Sequence, residues 1–113
     1  MRIIVFFDLP VKTKKEKKAY NLFRTYLIKK GFIMMQYSVY CRLLYNRDQA
    51  SHVQDSIRKN VPDKGNVRLM LVTETQYSKI EVIIGGTSNK EELLKIDPFL
   101  KLWKKLVFFL QTN

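Results

Sequence analysis

The sequence predicts an α+β fold, a ferredoxin-like βαββαβ sandwich with two helices on one face of an antiparallel sheet. Two observations lead there. Runs of β-branched and aromatic residues alternate with amphipathic stripes that each open on a helix cap. Between the two main stripes lies one long extended stretch, residues 32–44, which has to divide into two adjacent strands. The chain has 113 residues, which suits a single domain.

The first strand is Arg2 to Phe7. It is apolar on both faces, with Ile3, Val5 and Phe7 on one side and Ile4 and Phe6 on the other. Two-sided burial marks a central strand. Asp8-Leu9-Pro10 ends it, because proline cannot continue the ladder. Thr13-Lys14-Lys15-Glu16 is a capping box, and the helix it opens should run to residue 30. Ala19, Tyr20, Phe23, Tyr26 and Leu27 form its apolar stripe, Lys14, Lys17, Lys18 and Lys29 its polar side, and Gly31 its left-handed cap.

Over 32–44 every odd position is apolar (Ile33, Met35, Tyr37, Val39, Cys41, Leu43) and the even ones carry Gln36, Ser38 and Arg42, a clear period of two, with a bend near Gln36-Tyr37-Ser38. Asn46 caps a second helix, with Ala50, Val53 and Ile57 on its buried stripe and its end near Asn60. Pro62 to Asn66 is a turn, and Val67 to Thr73 is a strand with Val67, Leu69 and Leu71 inward. Residues 79–84 read as one further strand. The sheet has no interior place for it, so it lies on an edge, and its apolar Ile80, Val82, Ile83 and Ile84 invite a second chain. A symmetric homodimer that exchanges this edge strand is the economical solution. The expected organisation is a ferredoxin-like domain over 1–86 and a tail over 87–113. In the tail, short helices near 89–96 and 98–104 and a terminal strand over 105–110 compete with one continuous helix.

Charge narrows the function. Twenty-one Lys and Arg stand against 10 Asp and Glu, a formal net charge of +11. Residues 1–60 hold 13 basic and 4 acidic side chains, so 13 − 4 = +9 of that excess lies there. Such one-sidedness points to a polyanion, nucleic acid first, although solubility alone is the plain alternative. No apolar run approaches the ~20 residues a membrane span needs. The early Asp8 breaks any secretory core, so a cytoplasmic protein is expected. With Cys41 as the single cysteine and His52 as the single histidine, disulfide frameworks, zinc centres and cysteine proteases find no support. Cys41 reads as a buried apolar residue, His52 as a surface one, and Gly85-Gly86 as a turn rather than a phosphate loop.

Three features carry candidate chemistry. Asp8, at the end of an apolar strand, is either a metal ligand or an ordinary turn aspartate before Pro10. One carboxylate is sparse for Mg²⁺, and two Asp8 side chains meeting in a dimer would repair that. Lys14, Lys17 and Lys18, at a helix N-terminus, are either phosphate contacts or a solvated face. Arg42, on the polar face of its strand near Ser38 and Tyr40, offers one more backbone contact. Tyr37 and Tyr40 do not reproduce the aromatic pattern of RNA-recognition motifs.

The strand ending in Phe7-Asp8-Leu9-Pro10, the helix ending at Gly31, and above all Gln36-Tyr37-Ser38-Val39-Tyr40 resemble the small CRISPR-associated adaptation protein family Cas2. Val72-Thr73-Glu74-Thr75-Gln76-Tyr77 is similar to members from type II loci. The likeness covers about residues 1–86. It implies a ferredoxin-like homodimer that bridges integrase dimers and binds duplex DNA for insertion into the CRISPR array. Family members are described as Mg²⁺-dependent endonucleases, with Mn²⁺ as a substitute and RNA or DNA as substrate. The strand-end aspartate is then both catalytic and metal ligand, which here is Asp8. Many members carry tyrosine before this aspartate, and this chain has Phe7. A nuclease-silent scaffold and a free-standing ribonuclease acting on single-stranded RNA are the alternatives.

Overall fold

The computed structural model describes residues 1–85, and its first compact unit runs from Met1 to Glu81. Seven elements follow one another: β1 (Arg2–Asp8), α1 (Lys14–Lys29), β2 (Ile33–Gln36), β3 (Val39–Leu43), α2 (Arg47–Asn60), β4 (Asn66–Val72) and α3 (Glu74–Ser78). The four strands form one antiparallel sheet in the order β2-β3-β1-β4. β1 is central, pairing with β3 from Arg2↔Leu43 to Phe6↔Val39 and with β4 from Arg2↔Val72 to Asp8↔Asn66. This is the expected ferredoxin-like βαββαβ arrangement.

α1 and α2 cover one face. Ile3, Val5 and Phe7 of β1 pack there with Tyr20, Phe23 and Leu27 of α1 and Ala50, Val53 and Ile57 of α2. Phe7 is the hub of this layer. Its ring lies edge-on to Phe23, centroids 5.2 Å apart, and to Tyr20 at 5.8 Å. Each such apolar side chain stabilises the fold by about 1.5–3 kcal/mol. The helix caps are those the sequence announces: Thr13 with Glu16 for α1, and Asn46 accepting from the Gln49 N–H for α2.

The other face is covered at one end only. Tyr77 of α3 lies over Ile4 and Cys41, while Phe6, Met35, Val39 and Val72 stay partly buried around them. Arg2, 1% exposed, enters this face from β1. Its Nε donates to Glu74 Oε2 at 2.8 Å, and its guanidinium stands 3.8 Å from the Tyr77 ring centroid. Burial opposes the charge, but hydrogen bonds with Glu74 and Cys41 outweigh it and hold the guanidinium above its ordinary pKa. β1 thus holds α3 against the sheet.

Three points add to or correct the expectations. First, over 32–44 the side chains under the helices include Phe32, Tyr40 and Leu44, at even positions. The odd set (Met35, Val39, Cys41) lies on the opposite face, and Tyr37 is exposed. Both faces of β3 are needed, so alternation of polarity marks the strand without telling which face meets the helices. Second, α3 is an element the sequence expectations lack, although Thr73 and Gln76 make a complete capping box. Third, 79–84 forms no strand. Lys79 caps α3, the Ile80 N–H donates to the Tyr77 carbonyl, and no ladder partner meets this segment among the described residues. A β-strand exists only with a neighbour. Ile80, Val82, Ile83 and Ile84 accordingly remain exposed. The expected tail elements over 87–113 lie outside the described residues.

The Arg2 clasp predicts an order of effects. Glu74→Ala leaves a buried cation without its carboxylate and should cost about 3 kcal/mol. Arg2→Met, which removes the cation and leaves a half-exposed carboxylate to water, should cost about 1 kcal/mol. Urea unfolding measures both, and the reverse order would show that the clasp does not hold α3.

Candidate nucleic-acid interface

Asp8 is the last residue of β1. The ladder fixes its backbone opposite Asn66, and its side chain is exposed at the point where cover of the strand ends. The turn from α2 to β4 presses on it. Gly65 has φ +98°, and a Cβ there would stand 2.7 Å from the Asp8 carbonyl oxygen and 2.8 Å from Leu9 Cδ2. Only glycine fits both that backbone conformation and that approach. In the sequence Gly65 reads as a turn residue and nothing more, since spacing along a chain carries no sign of a meeting between distant segments.

Among the described residues no group of three or more His, Cys, Asp or Glu side chains could hold a metal ion. A closed protein cage is therefore not available from the described part of one chain. What Asp8 offers is one exposed carboxylate, which fits a cation held mainly by water and substrate phosphate, as Mg²⁺ commonly is.

Lys14, Lys17 and Lys18 occupy the first turns of α1 and are exposed. The helix start itself is less open to an anion than its dipole suggests. Thr13 Oγ1 accepts from the Glu16 N–H at 3.1 Å, and Glu16 Oε1 accepts from the N–H groups of Thr13 and Lys12 at 2.9 and 3.1 Å. Those bonds, that from Thr13 foremost, hold the Glu16 carboxyl below its usual range. The helix end therefore already carries an anion, and attraction for phosphate falls to the lysine side chains.

Arg42 does not join them. Its half-buried side chain lies on the helix-covered face beside Gly31, with Nε 3.7 Å from where a Gly31 Cβ would stand. That is the far end of α1, about 24 Å from its start for 16 residues. Tyr40, expected near it on a polar face, is buried, and its hydroxyl is the acceptor for Arg24 Nε at 3.0 Å. Arg24 is not singled out by the sequence; it lies two turns from Lys17 on the same flank of α1. Cys41 is fully buried and His52 is exposed on α2, as their sequence contexts suggest.

Comparison with known proteins bears on the family and the fold. The family model described as CRISPR associated protein Cas2 matches residues 1–80. The "CRISPR-associated endoribonuclease Cas2" of Treponema denticola is 50% identical over 97 residues, 86% of this chain and 94% of that one. The protein of the same name from Ligilactobacillus salivarius is 44% identical over 85 residues, 75% and 84% of the two chains. The crystal structure of Streptococcus pyogenes Cas2 at pH 6.5 superposes with a TM-score of 0.57 at 13% identity, covering 74% of this chain and 99% of that one. At that identity the likeness is one of fold.

The packing at Asp8 predicts that Gly65→Ala destabilises the protein by more than about 1 kcal/mol, because backbone and not a flexible side chain has to move. Thermal melting checks it. An unchanged melting temperature would mean that the turn does not bear on the strand end.

Proposed function

The chain belongs to the CRISPR-associated Cas2 family, and on that premise we propose that it is a homodimeric nucleic-acid-binding protein of CRISPR spacer acquisition. In this reading it bridges integrase dimers and holds duplex DNA, with a metal-dependent endonuclease activity centred on Asp8. The observation that carries the reading is the pairing of an exposed strand-end carboxylate with an exposed lysine cluster on the helix that follows it. The name of the curated relatives supports nuclease chemistry on RNA.

The half-covered sheet supports the dimer. Phe6, Met35, Val39 and Val72 are only partly buried, and Met70 is 49% exposed, on a surface that a second copy would dry. β4 is an edge strand, and the segment 79–84, without a strand partner among the described residues, would add to the partner's sheet there. Lys14, Lys17 and Lys18 of each copy would hold the phosphate backbone without reading bases, with Arg42 a separate contact. Asp8 would hold Mg²⁺ or Mn²⁺, which when bound supplies Lewis-acid polarisation of a phosphoryl oxygen or of water. The role of Asp8 is to fix charge at one point, on a backbone that the ladder to Asn66 and the pressure of Gly65 keep in place.

Asp8→Asn keeps the shape and removes the charge. It should abolish Mg²⁺-dependent cleavage of RNA and DNA while leaving the dimer in sedimentation, duplex binding, and insertion assisted by the integrase. Cleavage surviving in the purified variant would remove Asp8 from the chemistry. Loss of insertion with binding intact would place Asp8 in the adaptation step itself. Replacing Lys14 and Lys17 by Ala should flatten the slope of log K against log salt by about 0.9 for each phosphate no longer neutralised. An unchanged slope would reduce the lysines to a solvated face.

A further inference from the structure

β2 and β3 are joined by Tyr37 and Ser38 alone, after a bulge between Met34 and Gln36. Ser38 has φ +64°, the one positive φ of a non-glycine residue among the described residues. Such a backbone disfavours L side chains by roughly 1–2 kcal/mol. It is held by its neighbours: the Ser38 carbonyl accepts from the Phe7 N–H at 3.1 Å, and its hydroxyl is hydrogen-bonded to that of Tyr20 at 3.2 Å.

The turn keeps the ring of Tyr37 out of the core. Tyr37 is 73% exposed, yet it stacks on Tyr20 with centroids 5.9 Å apart and planes 20° from parallel. Tyr20 is itself in the core, edge-on to Phe7, so Tyr37 stands on a fixed base with much of its ring in water. A hydrogen bond with Tyr20 raises its phenol pKa above the ordinary value, against an opposing pull from Arg24. The turn brings polar neighbours, exposed Gln36 and half-buried Ser38, and the adjoining flank of α1 carries Lys17 and Arg24. A flat neutral ring among cations suits a nucleobase with its phosphates.

We infer that Tyr37, seated on Tyr20, is a stacking platform for an unpaired nucleobase, with Arg24 and Lys17 holding the adjoining phosphates. This rests on the nucleic-acid reading above and adds a substrate feature to it: a single-stranded end or loop beside the duplex.

Binding of the full chain to three labelled DNAs tests it: a flush duplex, the same duplex with a single-stranded overhang, and that overhang made abasic. The base-bearing overhang should bind about 5- to 150-fold more tightly than the abasic one, the range for stacking of one base. Tyr37→Ala should erase that gain while leaving flush-duplex affinity and the sedimenting species unchanged, and Tyr37→Trp should keep it. Equal binding of base-bearing and abasic overhangs by the wild-type chain overturns the inference and leaves the duplex reading intact, whether or not the Ala variant folds. A Tyr37→Ala protein that loses flush-duplex binding equally, or changes its oligomeric state, also overturns it. Failure to bind any of the three DNAs defeats the nucleic-acid reading and the platform with it.

Discussion

Everything in this fold is arranged around a strand that has no free edge and no wholly free face. β1 is hydrogen-bonded to β3 and β4, roofed by α1 and α2 on one side, and met by α3 on the other. Four of its first five residues are consequently buried, including an arginine. Asp8 stands where those constraints lapse together. The ladder still holds its backbone, but no layer covers its side chain. A carboxylate there springs from a fixed backbone and is open to water, a combination that neither a loop nor a core supplies.

Much of this was legible in the residues. The two-sided apolarity of Arg2 to Phe7 gave away a central strand, and Thr13 with Glu16 and Asn46 with Gln49 located both helices. These signals are local, since a cap or a period is written within a few residues. What escaped depends on distant meetings. The facing of β3 is decided by Tyr40 lying opposite Val5, which no periodicity within 32–44 contains. The importance of Gly65 lies in its approach to Asp8, and that of Arg24 in its bond to Tyr40. α3 is different: its Thr73–Gln76 box was readable, but five residues are too few to show an apolar stripe. For 79–84 the composition favours a strand while pairing decides, and one chain's described residues bring it none.

The distribution of charge follows the same division between fixed and free groups. Arg2, buried under α3, spends its cation on Glu74 and Tyr77. Lys14, Lys17 and Lys18 are exposed and keep their side-chain freedom. The buried structural cation is thus an arginine, whose planar fork suits bonds of defined direction. The lysines, compact and well hydrated, suit a partner whose phosphates repeat along a backbone.

The sheet order also dictates a sequence of events during synthesis. β2 and β3 can pair as soon as their two-residue turn is made, and α1 precedes them, so most of one layer is local. β1, made first, can join β3 early but cannot close its other edge until Val72 has left the ribosome, because its last partner strand is β4. At ordinary elongation rates that interval is on the order of seconds. Throughout it the most apolar strand of the sheet presents an unpaired edge and an uncovered face. A nascent chain of this topology therefore exposes, for seconds, the kind of unpaired edge through which partly folded chains add to one another's sheets.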